Sequence, residues 1–264
     1  MTPDPSAKGG ARAAATRQTD GIASPAGRRF FCSWSGGKDA YLALQRATLQ
    51  RGRAAALLCM LHEDGRASRG HGLPLELLEE QAAALGIPLI VRATTWDDYE
   101  ATYVSVLHEL RAQGVEAGVF GDIDLQAHRD WVEGVCEAAG LSCHLPLWQE
   151  ARRSLIDELL ASGVRATVVA VDAARLDASF LGRELTPDLV GELEAAGADA
   201  CGAEGEYHTM VTEAPLFTKR VPLAWDGHVS RDGHWILAFS AHAAEMEAES
   251  QASSAESRRE HEDR

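Results

Sequence analysis

Apolar runs alternate with helical segments from residue 29 to about residue 175, and this alternation restricts the possible folds more than any other feature of the sequence. Phe30-Phe31-Cys32 closes on Ser35-Gly36-Gly37 and gives way to helical spacing at Tyr41, Leu42, Leu44 and Leu49, stopped at Gly52. Ala54–Leu61 reads as a buried strand. Pro74 opens a helix through Leu75, Leu78, Ala82 and Leu85, which Gly86 ends. Ile87–Val91 reads as a strand and Trp96–Gln113 as a long amphipathic helix. Ala117–Phe120 is a strand running into Gly121-Asp122, and a helix through Ala139 leads to a strand at Leu141–Leu145. Ser154–Leu160 then reads as helix and Ala166–Val171 as strand. Near-continuous apolar strands separated by helices predict an α/β fold with a parallel sheet covered on both faces. Right-handed crossovers gather the strand-to-helix loops along one sheet edge, where such folds bind their ligands.

The remainder has a different pattern. Thr186–Ala196 reads as a helix with Pro187 in its first turn. Met210-Val211, Arg220–Trp225 and Trp235–Phe239 read as strands, the last two joined through a turn at Asp232-Gly233. The expected organisation is a disordered tail at 1–28, a sheet domain at 29–178, a smaller α+β domain at 179–242 and a disordered acidic tail at 243–264. Forty acidic residues against 25 basic ones leave a net charge of −15. That charge disfavours nucleic acid and anionic membrane as partners, yet leaves room for one small anion in a focused pocket. The longest apolar stretch, Ala54–Leu61, falls far short of the roughly 20 residues a membrane span needs. The opening residues lack a secretory leader pattern. The 5 cysteines form no Cys-x-x-Cys pair and show no zinc-ligand spacing. Buried free thiols and a cytoplasmic location are therefore expected.

The segment richest in chemistry is Ser33-Trp34-Ser35-Gly36-Gly37-Lys38-Asp39, between an apolar strand and a helix. Two glycines let the backbone turn and expose its N–H groups, and the helix start adds donors and a partial positive charge. Such a nest takes phosphate oxygens. Lys38 adds a full charge, and Asp39 orients the loop or holds magnesium. The spacing is neither that of the Walker loop nor that of the dinucleotide fingerprint. The simpler alternative is a tight turn with an N-capping Ser35.

This loop resembles the PP-loop of the ATP pyrophosphatase (adenine nucleotide α-hydrolase-like) superfamily, and the chain is similar to the diphthine–ammonia ligase family within it. The likeness continues through Arg69-Gly70-His71-Gly72, Gln81-Ala82, Gly121-Asp122-Ile123, Pro146-Leu147-Trp148, Phe180-Leu181-Gly182-Arg183 and Gly205-Glu206-Tyr207-His208-Thr209. The resemblance implies a Rossmann-like sheet of the HUP type with a smaller C-terminal α+β domain. It also implies a reaction: ATP adenylates a carboxylate, pyrophosphate leaves, and ammonia displaces AMP to give an amide. In the family the acid is diphthine on elongation factor two. Carried over by motif, Ser35, Gly36, Gly37, Lys38 and Asp39 hold pyrophosphate, Gly121 and Asp122 lie near the nucleotide, and Met60 flanks the adenine. Asp39 and Asp122 are the candidate magnesium ligands. Lys38, Asp39, Asp122, Glu206 and His208 are the candidates for chemistry, with His71 also in the binding set.

Glu206 and His208, two residues apart on a strand, face one side and form either a polar cluster that handles substrate or ammonia or a hydrogen-bonded structural pair. His128-Arg129, Glu76, Glu79 and Glu80 read as solvated helix faces, and Trp225 and Trp235 as core or interface. The sequence departs from the family pattern at three places. Ala40 stands where a serine usually follows Lys-Asp, Ala203-Glu204 alters the Gly-Glu-rich motif, and Glu213-Ala214-Pro215 replaces Asp-Gly-Pro. The alternatives left open are a PP-loop enzyme for another small carboxylate, a tRNA-modifying enzyme and a non-catalytic nucleotide sensor. A homodimer is admitted.

Overall fold

The computed structural model describes residues 25–240; the tails at 1–28 and 243–264, expected to be disordered, lie outside those residues except for 25–28. Five strands form the first sheet: β1 (Arg29–Ser33), β2 (Arg53–Leu61), β3 (Leu89–Ala93), β4 (Ala117–Val119) and β5 (Ser142–His144). Their order is β3-β2-β1-β4-β5, and every pairing is parallel. The connecting helices are α1 (Lys38–Leu49), α2 (Leu75–Leu85), α3 (Tyr99–Ala112) and α4 (Gln126–Ala139). Side chains alternate across the strands, so Phe30 and Cys32 join one apolar cluster with Leu44 and Leu78, while Phe31 joins another with Leu107 and Val135. Both faces are therefore covered, as the unbroken apolar runs predict. The order reverses between β1 and β4, which places a topological switch point at their carboxyl ends.

The second sheet is antiparallel, ordered β7-β6-β9-β8, from β6 (Arg165–Asp172), β7 (Tyr207–Glu213), β8 (Trp225–Arg231) and β9 (His234–Phe239). Two helices accompany it, α5 (Arg152–Ala161) ahead of β6 and α6 (Pro187–Ala195) between β6 and β7. The Thr186 side chain caps α6 by accepting from Leu189 N. β8 and β9 are closed by Asp232 (φ 49°) and Gly233 (φ 80°), the two left-handed residues that suit the twist of a two-residue hairpin. One apolar cluster runs from Phe30 and Leu57 through Leu155 to Val168 and Met210, so the two sheets share a core.

Four expectations are corrected. The strand at Ala166–Val171, expected in the parallel sheet, is the centre of the antiparallel one, so the change of sheet comes before β6 rather than at residue 178. A strand buried on both faces has the same apolar run in either kind of sheet, which leaves its partners unspecified. β3 starts at Leu89 rather than Ile87, because Ile87 N–H donates to Ala82 O to end α2 and Pro88 has no N–H to give. The strand expected at Arg220–Trp225 begins only at Trp225. Likewise α3 starts at Tyr99 rather than Trp96, since Thr95 Oγ1 and Asp98 close a turn ahead of it. Among the described residues no helix is long and apolar enough to cross a membrane. The 5 cysteines are free, and all but the half-buried Cys143 are buried.

Candidate active site

The Ser35–Asp39 loop leaves β1 and enters α1 at the switch point. Gly36 takes a left-handed φ of 80°, and a Cβ there would lie 2.6 Å from Leu73 Cδ1 and 2.8 Å from Gln81 Oε1. Gly121, at the end of β4, presses its backbone on the loop so closely that a Cβ would come 2.8 Å from the Asp39 carbonyl carbon. The loop is held from three sides. Gln81, fully buried on α2, accepts from Trp34 Nε1 (3.0 Å) and donates to Gly36 O (2.9 Å) and Val211 O (2.8 Å). From β7, Val211 N donates to Gly36 O (3.0 Å), and Thr209 Oγ1 accepts from Lys38 N (3.2 Å). The second sheet thus fixes the shape of a loop that belongs to the first.

A cavity of about 560 Å³ opens at these carboxyl ends, within the range of small-molecule sites. Of the expected residues, Ser35, Asp39, Met60, His71, Gly121, Asp122 and His208 line it. Gly36, Gly37, Lys38 and Glu206 do not line it. Lys38 is 4% exposed and its Nζ lies 2.9 Å from Asp39 Oδ2, over the Tyr207 ring at 5.1 Å. Burial works against its charge, but Asp39, Tyr207 and Cys201 together outweigh it and raise the ammonium pKa. For Asp39, burial pushes the carboxyl upward against the pull of Lys38. Asp122 accepts from His128 Nδ1 (3.1 Å), an exposed histidine that also lines the cavity and is raised by that bond. The neighbouring Arg129 turns away to Glu133 and the face of Trp148.

His71 and His208 stack at 4.5 Å on the cavity wall, with His234 6.0 Å beyond. Burial, then the charge of Lys38, lowers His71 to about 4. His208 is held well below the usual histidine value by burial and by His71, Lys38 and His234. Both are neutral bases at neutral pH. The Thr209 carbonyl, 3.2 Å from His71 Nδ1, can only accept, which puts the ring proton on Nδ1 and leaves Nε2 basic.

Glu206 and His208 do not act as a unit. Glu206 is 3% exposed, and its carboxylate accepts from Asp199 N (3.3 Å) and Glu204 N (3.0 Å). Asp199 in turn accepts from Cys201 N and Ala203 N, each at 2.7 Å. These two carboxylates shape the loop from Asp199 to Glu206 into the wall facing the cavity, with Gly202, Ala203, Glu204 and Gly205 as lining. Arg152, at the start of α5, joins this wall to the first sheet. It bonds Asp124 through Nε (2.8 Å) and Nη2 (2.9 Å), and its Nη1 lies 3.0 Å from Asp199. Sequence reasoning missed Arg152, Asp124, Tyr99 and Tyr103, which lie outside every motif it singled out. Gln81 carried a signal, a lone amide on the apolar face of α2.

Among the described residues no group of three or more His, Cys, Asp or Glu could enclose a metal ion alone. Two carboxylates at the cavity, Asp39 and Asp122, do fit magnesium, which takes one or two protein carboxylates and completes its shell with water and phosphate oxygens.

Residues 28–143 match the family described as the diphthamide synthase N-terminal domain, and residues 152–241 match the diphthamide synthase C-terminal domain. The gap between the two matches falls where the chain changes sheets. A diphthine–ammonia ligase of Mus musculus is 30% identical over 158 residues, covering 53% of this chain and 59% of that protein. One from Schizosaccharomyces pombe is 30% identical over 212 residues, 72% of this chain and 35% of that protein. One from Rattus norvegicus is 27% identical, covering 71% of this chain and 79% of that protein. The chain thus spans 59% and 35% of the length of the first two relatives. A solved structure titled as a predicted subunit of tRNA methyltransferase from Methanocaldococcus jannaschii covers 71% of this chain and 98% of that one, at TM-score 0.39 and 14% identity. That likeness is too distant to bear on fold or function. Two domain matches in the right order, laid over the two sheets and the cavity between them, establish that this chain belongs to the diphthamide synthase family.

Proposed function

We propose that this chain is an ATP-dependent amide ligase that forms AMP and pyrophosphate, adenylating a carboxylate and then aminating it with ammonia. The observation that carries this reading is the Ser35–Asp39 loop opening onto one cavity together with Asp122 and two neutral histidines. A carboxylate oxygen attacks the α-phosphorus and pyrophosphate leaves. Ammonia then attacks the acyl carbon and AMP departs with the electron pair of the broken C–O bond. The amide nitrogen sheds one proton, and His208, unprotonated at neutral pH, is the base placed to accept it. The chain needs no nucleophile of its own. The loop orients the phosphates, and Lys38, released from Asp39, supplies charge to the leaving pyrophosphate. Asp39 and Asp122 would hold magnesium, which when bound neutralises charge on the phosphate oxygens.

The acid named by the family is diphthine, which this reading places on elongation factor two. Ala203 and Glu204, which depart from the family motif, line the cavity, and this reading gives them the selection of the acid. The net charge of −15 favours this class over tRNA modification. The test is to incubate the protein with ATP, ammonium and diphthine-bearing elongation factor two, then weigh the factor and quantify AMP and pyrophosphate. Amidation with equal AMP and pyrophosphate, all dependent on ammonium, is expected. Pyrophosphate release with small carboxylates but not with the factor would move the substrate to another acid. ATP binding without release under any acceptor would leave a nucleotide sensor.

A further inference from the structure

Tyr103, in the second turn of α3, is 2% exposed and lines the cavity. Its ring is fixed by Trp131 at 5.1 Å, Tyr99 at 6.1 Å and Phe31 at 6.5 Å. Its hydroxyl is buried and finds no hydrogen-bond partner among the described residues. Ser33 stands near enough to influence the phenol but outside hydrogen-bonding geometry. The two other fully buried tyrosines use their hydroxyls within the protein. Tyr41 accepts from Leu216 N (3.2 Å), and Tyr207 donates to Ala200 O (2.5 Å). A phenylalanine would satisfy the packing around Tyr103, so the unpaired hydroxyl is a standing penalty with no return inside the fold. Burial also holds the phenol well above its ordinary pKa, which keeps it a neutral donor.

The position of this donor identifies what it meets. The Ser35–Asp39 loop takes the phosphate end of the cavity, while Tyr103 comes from α3, which packs beside β1 through Phe31. Leu58 and Met60, from the end of β2, line the same cavity and belong to the same apolar cluster as Tyr103, offering apolar surface suited to a flat base, and the Tyr99 ring stacks on Tyr103. We propose that the Tyr103 hydroxyl donates a hydrogen bond to the nucleoside portion of ATP and is one of the contacts that select a nucleotide over bare polyphosphate. This rests on the reading of the cavity as an ATP site and adds a residue that the family motifs do not carry.

Tyr103→Phe removes the hydroxyl and keeps the ring, so folding and binding respond in separable ways. The measurements are thermal unfolding and titration with ATP and with inorganic pyrophosphate. Tyr103→Phe is expected to melt at or above the wild-type temperature, to bind ATP about fivefold more weakly and to bind pyrophosphate unchanged. Tyr41→Phe, which strands the Leu216 N–H, is the contrasting variant: a lower melting temperature with ATP affinity kept. Equal ATP affinity in Tyr103→Phe and wild type overturns the inference alone. So does a lowered melting temperature with unchanged affinity, which would make the hydroxyl structural. Wild-type protein that binds no adenine nucleotide overturns the ATP reading and this inference with it.

Discussion

Lys38 illustrates how little a residue's name says about its state. The motif places a cation at the phosphates, yet the structure turns that cation onto Asp39, buried and out of the cavity lining. In the proposed reaction this ammonium, 2.9 Å from one carboxylate, would exchange Asp39 for a polyphosphate of higher charge and leave Asp39 free to hold a metal. Lys38→Ala is therefore expected to lower ATP-dependent pyrophosphate release by about a hundredfold or more, measured under saturating acid and ammonium. Near-normal release would remove Lys38 from the phosphate site. The same arithmetic of partners separates Glu206 from His208. The two-residue spacing predicts one strand face, but β7 starts at Tyr207, so Glu206 lies in the bend before it and its carboxylate is engaged by backbone N–H groups of its own loop. Sequence spacing reports which face a side chain takes, not which donors reach it first.

At the scale of elements, the parallel sheet was legible because β1 to β5 alternate with helices and Pro74 and Gly86 mark helix ends, and the β8–β9 hairpin was legible from Asp232-Gly233. The sheet to which β6 belongs was not, since its apolar run is compatible with parallel or antiparallel neighbours and only β7 and β9 decide between them. The phosphate loop could be read locally for a similar reason: its glycines and helix start are contiguous. The opposite wall is assembled from distant segments and could not. Arg152 joins Asp124 after β4 to Asp199 before β7, residues with no shared pattern in the chain. Its fork spans both carboxylates, which one ammonium cannot do. Arg152→Ala is expected to raise KM for the acid several-fold more than KM for ATP, because the wall at Gly202–Gly205 loses its anchor while the phosphate loop keeps Gln81 and Thr209. Arg152→Lys should recover only part of the loss. Equal effects on both KM values in steady-state kinetics would show that the wall is held without this clamp.

For the molecule as a whole, the net charge of −15 suggests that mild acid should relieve self-repulsion and stabilise the fold. The buried histidines point the other way, and the magnitudes favour them. Surface carboxylates titrate near pH 4 and are screened at physiological salt, so the acidic excess itself is hardly titrated between pH 7 and pH 5 and the 10 histidines are the groups that change charge in that window. His144 is the best buried of the described histidines at 6% exposed, and burial lowers it to about 4. His71, also lowered to about 4, and His208, lowered well below its usual value, act in the same sense. Each takes up a proton in the unfolded chain near pH 6.5 but resists it in the fold, so stability is complete above that value and falls as pH drops toward 4. His128, raised by its bond to Asp122, opposes the trend within the window, but its side chain is 63% exposed and solvent screens the effect; Asp39, raised by burial, opposes it near and below the end of the window, as it gains its own proton. The stabilisation that Arg152 gives Asp124 and Arg46 gives Glu158 is lost only below the ordinary carboxylate range. Unfolding in urea at 0.15 M salt should therefore lose about 2–4 kcal/mol between pH 7 and pH 5, with half-buried His71 contributing less than its full shift. A curve that stays flat or rises over that interval would mean that His144 and the stacked pair are hydrated in the folded protein, and the assignment of His208 as a neutral base would fall with them.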